Sequence, residues 1–337
     1  MKADSAHITC GIVCHNEEKN IESCLRGLFS GSNSEFLSEV IVVDNLSTDK
    51  TPEILRQWQR EFPDKLRVHT AQKNLLGKSR QWIVDQTKTE FLLFTDGDCQ
   101  IPSNWVKTHL DHFFSIPLSH SPAGVCGPNR LPENKVWQKA INQSLNSFLG
   151  HGFSPQAYRP TSKRRVNHLP TTNALFKVSC LRETSGFPPE LMIGEDAHMG
   201  NQLRRVGHSM WLFPEPLVRN NCAESVQDWM ARMFRFGRSR WHHSSKASAI
   251  LFLCLLALVT VGTQLPVLGA LMVALALSLW GSSLCLSLVP QKKLNEEVLN
   301  LPAEKNIRGL TLLCQLSTLG SYFWGWASYP LRGRKTF

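Results

Sequence analysis

The sequence predicts an α/β domain over about its first two thirds, followed by helices that lie in a membrane. Up to about residue 225, short apolar runs alternate with amphipathic helical patterns, which is typical of βαβ units. A cluster of polar residues follows three of the apolar runs directly. Further along, residues 247–291 form a run of 45 without a charged side chain. That run is long enough for two membrane-spanning helices of about 20 residues each.

The strands and helices of the α/β domain can be assigned in order along the chain. The apolar runs predict strands over residues 7–14, 40–43, 66–70 and 91–95. Helical patterns between them predict one helix ending near Phe29 and two further helices over residues 51–61 and 77–86. Ligands of such sheets bind beyond the carboxyl ends of the strands. The polar segments 15–18, 44–49 and 96–99 are therefore the candidate functional segments.

Composition and charge restrict the possible partners. The chain has 337 residues, 42% hydrophobic and 19% charged, which excludes general disorder. Its net charge of +10 favours a negative partner: nucleic acid, anionic lipid or a phosphate-bearing substrate. No zinc-finger spacing, RNA-binding signature or basic zipper supports nucleic acid. Ten cysteines without a CxxC pair are typical of reduced thiols in the cytosol.

The second part of the chain is predicted to contact a membrane. Gln264 and Pro266 interrupt the uncharged run, so residues 249–289 are expected to form a helical hairpin within a membrane region 249–331. The uncharged stretch 309–331 contains several polar residues and is expected to be interfacial or re-entrant. Basic residues flank each segment, and the positive-inside rule places them in the cytoplasm. The expected location is the inner membrane, with the domain 1–225 in the cytoplasm and a basic interfacial segment over 226–248. A buried hairpin of a soluble protein is the alternative.

Two acidic residues after the fourth strand suggest metal binding. Asp96 and Asp98 are separated by Gly97, and a turn at the glycine can direct both carboxylates to one side. Hard cations such as Mg²⁺ or Mn²⁺ bind through one or two carboxylates together with substrate phosphates. A solvated turn, in which Asp and Gly are common, is the alternative interpretation.

Taken as an ordered set, the motifs resemble glycosyltransferase family 2, whose members have the GT-A fold. That fold is a Rossmann-like mixed sheet flanked by helices. The resemblance spans about residues 7–245 and rests on four segments: His15-Asn16-Glu17-Glu18, the block from Asp44 to Thr51, Asp96-Gly97-Asp98, and Glu195-Asp196. Pro102 and Trp105 after the aspartate pair also fit the pattern.

The resemblance implies a role for individual residues of this chain. Asp196 would be the catalytic base that deprotonates the acceptor. Asp96 and Asp98 would bind Mg²⁺ or Mn²⁺. The donor nucleotide would be bound by His15, Asn16, Glu17, Asp44 and Asp96. The acceptor or the diphosphate would be contacted by Glu195, Asn173, Arg240 and Trp241.

The predicted function is that of a membrane-anchored inverting glycosyltransferase. The expected donor is a nucleotide-diphosphate sugar, UDP-linked, and the expected acceptor is a lipid or a lipid-linked glycan. Other polysaccharide-biosynthesis subunits are possible partners. A processive polysaccharide synthase is one alternative; against it, Gly237 replaces the Gln of the Gln-x-x-Arg-Trp motif that such enzymes carry. A non-catalytic partner that binds nucleotide sugar or glycan is another, and the intact carboxylates argue against it.

Overall fold

The computed structural model describes residues 8–72, 75–146 and 160–243, together with Cys314. The predicted membrane hairpin 249–289, and the predicted segment 309–331 apart from Cys314, lie outside the described residues. Among the residues that are described, no helix has both the length and the apolar character needed to cross a bilayer. The chain divides into two compact units, residues 1–130 with 153–221 and residues 131–152 with 222–337.

A mixed β-sheet forms the centre of the first unit. Eight of the described strands lie in it, in the order β3-β2-β1-β4-β9-β6-β10-β8. They are β1 (Ile8–Cys14), β2 (Leu37–Asp44), β3 (Leu66–Thr70), β4 (Phe91–Asp96), β6 (Pro122–Cys126), β8 (Arg164–Arg165), β9 (Asn173–Lys177) and β10 (Ser209–Leu212). A small second sheet has the order β5-β11-β7, with β5 (Cys99–Gln100), β7 (Asn129–Arg130) and β11 (Val218–Asn220).

Strands β1 to β4 confirm the four predicted strands and create a ligand-binding edge. β1 is parallel to both β2 and β4, and β2 is parallel to β3. The chain adds β2 and β3 on one side of β1 and then returns to place β4 on the other side. The strand order thus reverses between β1 and β4, and ligands of open α/β sheets bind at the carboxyl ends beside such a point. The segments that follow Cys14 and Asp96 meet there.

The far half of the sheet makes it mixed rather than parallel. β9 lies between β4 and β6 and is antiparallel to both. β10 is parallel to β6, and β8 is antiparallel to β10. The mixed, Rossmann-like sheet expected from the family resemblance is therefore present.

Helices of the first unit cover the sheet with apolar faces. In α1, Ile21, Cys24, Leu25 and Leu28 are buried at the spacing of a single helical stripe. The helices of this unit are α1 (Ile21–Phe29), α2 (Asn33–Phe36), α3 (Thr51–Glu61), α4 (Leu76–Gln86), α5 (Trp105–Phe114), α7 (Val178–Arg182) and α8 (Glu195–Arg205). The helices predicted to end near Phe29 and to span residues 51–61 and 77–86 are confirmed to within one residue.

The second unit contains two described helices, α6 (Val136–Leu145) and α9 (Val226–His243). The side-chain amide of Asn142 holds the start of this unit. Its Oδ1 accepts a hydrogen bond from the backbone N–H of Leu131, and its Nδ2 donates one to the backbone carbonyl of Leu131. Lys135 donates to the backbone carbonyl of Glu224, which precedes α9. Arg240 and Trp241 lie in the last turn of α9, and the positions of their side chains are not described.

Candidate active site

The turn after β4 places the two predicted metal ligands at the carboxyl edge of the sheet. Gly97 is required between them, because a Cβ there would lie 2.9 Å from Cys14 Cβ and 3.2 Å from Ile21 Cδ1. The side chains of Asp96 and Asp98 are both partly exposed. Their segment therefore fits tightly against β1 and α1 while both carboxylates reach the surface.

Asp96 is fixed from two sides. Its Oδ1 accepts a hydrogen bond from Arg80 Nη2 at 3.1 Å, and its Oδ2 accepts one from the Thr172 hydroxyl at 2.7 Å. Arg80 lies on α4 and is 4% exposed, so this charge-assisted contact is shielded from water. Asp96 is thus held in one orientation.

Asp98 is held by the small second sheet. Its Oδ1 accepts a hydrogen bond from Asn220 Nδ2 at 2.8 Å, and its backbone carbonyl accepts one from the N–H of Asn221 at 2.9 Å. Asn220 ends β11, which pairs with β5 directly after Asp98. The short second sheet therefore has a clear function in the site, since it positions this carboxylate.

Glu17 adds a third carboxylate to the group. Burial raises the pKa of Glu17 to about 8, and the charges of Asp98 and Asp96 act in the same direction. A hydrogen bond from Asn20 Nδ2 to Glu17 Oε2, 2.8 Å long, opposes that shift. Burial is thus the main cause of the raised pKa of Glu17, and the neighbouring carboxylates add to it.

Asp96, Asp98 and Glu17 are the candidate ligands for a divalent cation at this edge. Carboxylate oxygens are the ligands that Mg²⁺ and Mn²⁺ prefer, and a cation beside Glu17 would favour the charged form of its carboxylate. Asp96 and Asp98 both carry hydrogen bonds from neighbouring side chains, which orient their carboxylates at this edge. Their role as metal ligands stays a prediction.

The loops after β1 and β2 are joined by hydrogen bonds. The side chain of Asn16 accepts from the backbone N–H of Thr48 at 2.8 Å, and the N–H of Asn16 donates to Ser47 Oγ at 2.8 Å. The N–H of Glu17 donates to Thr51 Oγ1 at 2.7 Å. Asn16 adopts a left-handed conformation with φ of 56°, which asparagine tolerates better than most residues. The two predicted donor-binding segments therefore form one connected surface.

Asp44 and His15 belong to that surface. Asp44 is 2% exposed, and its Oδ1 accepts from the backbone N–H of Ser47 at 3.1 Å and from the Ser47 hydroxyl. His15 Nδ1 lies 2.8 Å from the carbonyl oxygen of Asn45, while the ring is exposed. Both residues lie where the family resemblance expects the nucleotide, and their binding role remains a prediction.

Glu195 and Asp196 begin α8 but have different surroundings. Glu195 is 3% exposed and forms an ion pair with Arg80 through Arg80 Nη1. Asp196 is partly exposed, and its Oδ1 accepts from the backbone N–H of Ala197 at 2.7 Å. Arg80 thus binds both Asp96 and Glu195, which places the first turn of α8 beside the carboxyl end of β4. The carboxylate of Glu195 is buried against Arg80, and its contact with the acceptor or the diphosphate stays a prediction.

Asn173 lies in a buried network of hydrogen bonds. Its Oδ1 accepts from Trp105 Nε1 at 2.7 Å and from His109 Nε2 at 2.8 Å, and its Nδ2 donates to the carbonyls of Pro128 and Pro216. Burial lowers the pKa of His109 to about 3, so its ring is neutral. Asn173 is 1% exposed, and its side-chain amide forms four hydrogen bonds within the protein. These contacts give it a structural role, and its contact with the acceptor or the diphosphate stays a prediction.

The sequence did not reveal several residues that shape the site. Thr172 and Asn220 hold Asp96 and Asp98; Thr172 directly precedes Asn173 in the sequence, and Asn220 lies in a strand of three residues. Arg80 lies on α4 and is buried there. Gly77, Ser79 and Ile83 are buried on the same helix, so this face of α4 points inward.

Comparison with known proteins agrees with this arrangement. A family model described as glycosyl transferase family 2 matches residues 9–183, which is just over half of the chain. Glycosyltransferase AglE of Haloferax volcanii is 24% identical over 232 residues, which cover 68% of this chain and 71% of AglE. The prophage-derived glycosyltransferase SunS of Bacillus subtilis is 35% identical over 97 residues, which cover 29% of this chain and only 21% of SunS.

Solved structures show the same fold. The mannosyltransferase PcManGT from Pyrobaculum calidifontis, in complex with GDP-Man and Mn²⁺, superposes on this chain with a TM-score of 0.60 at 18% identity. The superposition covers 98% of this chain and 88% of the PcManGT chain. GalNAc-T7 with UDP, GalNAc and Mn²⁺ superposes with a TM-score of 0.50 at 12% identity and covers 64% of this chain and 44% of its own. The chain belongs to glycosyl transferase family 2, has the GT-A fold and is a glycosyltransferase.

Proposed function

We propose that this glycosyltransferase moves a sugar, with inversion, from a UDP-linked sugar to a lipid or lipid-linked glycan at the cytoplasmic face of the membrane. The observation that carries the proposal is the contact of Arg80 with both Asp96 and Glu195. It brings the carboxylates at the end of β4 next to the helix that begins with Glu195 and Asp196. Donor-binding and acceptor-activating groups then share one edge of the sheet.

The donor binds, in this proposal, across the loops that follow β1, β2 and β4. Asp44 and the surface formed by residues 15–18 and 44–51 receive the nucleoside. Asp98, with Asp96 and Glu17 beside it, would hold Mg²⁺ or Mn²⁺. When bound, the ion neutralises charge on the diphosphate and helps it to leave. The Mn²⁺ complexes with UDP in GalNAc-T7 and with GDP-Man in PcManGT support a metal-dependent nucleotide-sugar donor.

Asp196 acts as the general base. Its Oδ1 accepts from a backbone N–H, which orients the carboxylate at the start of α8. The second oxygen takes the proton of the acceptor hydroxyl as that hydroxyl attacks the anomeric carbon of the sugar. The new glycosidic bond forms while the bond to the diphosphate breaks, and the nucleoside diphosphate leaves with the electron pair. One displacement inverts the configuration at that carbon.

The acceptor and the membrane location rest on the sequence. The uncharged run 247–291 and its basic flanks favour attachment to an anionic cytoplasmic leaflet. Arg240 and Trp241 stand just before that run, in the last turn of α9. In the proposal they face the lipid-linked acceptor or the diphosphate, because a Trp at a membrane interface lies close to lipid headgroups.

A panel of nucleotide sugars tests this function. The purified full chain is incubated with each sugar and a lipid extract, with Mn²⁺ or with EDTA, and the lipids are analysed by mass spectrometry. We expect a mass increase of one hexose or hexosamine with a UDP sugar and Mn²⁺, and none with EDTA. Long products would instead favour a processive synthase. Transfer to water-soluble acceptors alone would contradict a lipid-linked acceptor.

A further inference from the structure

A cysteine, a glutamate and a histidine meet at a place that the transfer reaction does not use. Cys180 Sγ, a Glu183 carboxylate oxygen and a His208 ring nitrogen all lie within 4.8 Å of one another. Cys180 lies on α7, Glu183 directly follows α7, and His208 lies in the turn between α8 and β10. They offer one sulfur, one oxygen and one nitrogen donor.

This cluster lies at the opposite edge of the sheet from the candidate active site. β9 is antiparallel to β4, and its last residue, Lys177, pairs with Phe91, the first residue of β4. α7 follows β9 directly, so Cys180 lies near the amino end of β4 while Asp96 lies at its carboxyl end. A ligand bound here would not contact the donor.

The surrounding structure orients the three side chains. Cys180 and Glu183 are three residues apart, which places them on one face of a helical turn. His208 follows Gly207, which has φ of +93°, and its N–H donates to the carbonyl of Leu203 at 2.9 Å. His208 Nδ1 lies 3.2 Å from Ser121 Oγ, and its Nε2 lies 2.9 Å from Glu183 Oε2. In metal-binding histidines, a hydrogen-bond partner on one ring nitrogen typically orients the other ring nitrogen toward the metal ion.

We propose that Cys180, Glu183 and His208 form a Zn²⁺ site, with water as the fourth ligand. Zinc binds thiolate, imidazole and carboxylate in tetrahedral geometry, whereas Mg²⁺ prefers oxygen ligands. Bond lengths of about 2.0–2.3 Å place zinc ligands roughly 3.3–3.8 Å apart, so small side-chain rotations suffice from the observed positions. The ion replaces the thiol proton of Cys180, which is released to solvent.

The buried position of Cys180 and the exposed position of Glu183 suit a bound zinc ion. Cys180 is 5% exposed, whereas the Glu183 side chain is 53% exposed. The thiolate would therefore be shielded, and the ion has a path from solvent past the carboxylate. Without a metal, burial and the charge of Glu183 raise the pKa of the Cys180 thiol, and a bound cation would reverse the effect of that charge. The site would connect α7 to the turn that ends α8.

Cobalt provides a direct probe, because a thiolate ligand gives Co²⁺ a sulfur-to-metal charge-transfer band in the near ultraviolet. The full chain is stripped with a chelator, dialysed and titrated with Co²⁺ in excess Mg²⁺, which fills the carboxylate site at Asp96 and Asp98. We expect the band to saturate near one equivalent and to be abolished when Zn²⁺ is added. Thermal unfolding of the same samples should move to higher temperature with Zn²⁺ but not with additional Mg²⁺.

Three variants test the assignment. Cys180→Ser should abolish the charge-transfer band. Glu183→Gln, which keeps the size of the side chain, should weaken Co²⁺ and Zn²⁺ binding at least about tenfold. His198→Gln, which replaces an exposed histidine on α8, is the matched control and should bind like the wild type. The proposal is overturned if the wild type gives no charge-transfer band, or if the band and the affinity are unchanged in both Cys180→Ser and Glu183→Gln.

Discussion

Arg80 forms a buried ion pair with Glu195, the residue directly before the proposed catalytic base. The two side chains are 5% and 4% exposed, and the same guanidinium also binds Asp96. A buried arginine between two carboxylates is difficult to replace, because removal of the cation leaves both acids without compensation. The pair thus couples the start of α8 to the end of β4, and it provides the first prediction.

Replacement of Arg80 should destabilise the protein. Arg80→Met leaves Asp96 and the buried Glu195 without their cation, and we expect the free energy of unfolding to fall by about 3–5 kcal/mol. Urea unfolding followed by tryptophan fluorescence measures the change. Arg26→Met is the control, because Arg26 is paired with Glu22 on the surface and should alter stability by at most about 1 kcal/mol. Equal effects of the two substitutions would contradict the coupling role of Arg80.

The pKa of Glu17 predicts how stability depends on pH in the metal-free protein. That pKa is raised from its usual value of 4.5 to about 8. Between these values the folded protein keeps a proton that the unfolded chain has released, so the free energy of unfolding should decrease as pH rises. In EDTA, Glu17→Gln should make the free energy of unfolding less dependent on pH. Glu22→Gln, on the exposed face of α1, is the control and should leave the pH dependence unchanged.

Urea unfolding in buffers between about pH 5 and pH 8.5 provides the measurement for Glu17. Saturating Mn²⁺ should also flatten the pH dependence in the wild type, since a bound cation favours the charged carboxylate. The same pH dependence of the wild type and Glu17→Gln without metal would show that folding does not raise the pKa of Glu17.

Loss of one metal ligand should weaken nucleotide binding. Asp98→Asn removes a charge and a hard oxygen from the site, and we expect Mn²⁺-dependent affinity for UDP to fall at least about tenfold, or about 1.4 kcal/mol. Isothermal titration calorimetry with and without Mn²⁺ measures this. Asp111→Asn, on the exposed face of α5, is the control. Full nucleotide affinity of the wild type in EDTA would exclude a metal role for Asp98.

Removal of the C-terminal part should separate donor binding from transfer. A chain that ends before Ala249 retains every donor-binding segment, so it should bind UDP with Mn²⁺ as the full chain does. It should leave the membrane fraction and transfer sugar poorly to a lipid acceptor, because the apolar segments are absent. Transfer to native lipid at the full-chain rate would show that residues 249–331 have no part in reaching the acceptor.

The sequence was informative where local patterns determine structure. β1, β2 and β4 are largely buried parallel strands made mostly of apolar residues, and the polar residues after Cys14, Asp44 and Asp96 could be placed at one edge. β9 was not foreseen, because its five residues resemble other short apolar segments and its antiparallel pairing depends on residues far along the chain.

Side-chain contacts were less predictable than strands. The contacts from Thr172 to Asp96 and from Asn220 to Asp98 link residues 76 and 122 positions apart. No local pattern encodes such pairs. The sequence could identify Glu195 and Asp196 as adjacent acids on different faces of a helix, but only the fold shows that Glu195 is bound to Arg80.

The role of Asp196 as the general base is the central claim and can be measured directly. Donor affinity and turnover at saturating donor and acceptor are compared for the wild type and Asp196→Asn, with Glu53→Gln on the surface as control. Asparagine keeps the shape but cannot take the proton, so turnover should fall roughly 10²–10⁴-fold while the Kd for the donor stays close to that of the wild type. Turnover equal to that of the wild type, or a loss confined to donor affinity, would contradict the assignment of Asp196 as the base.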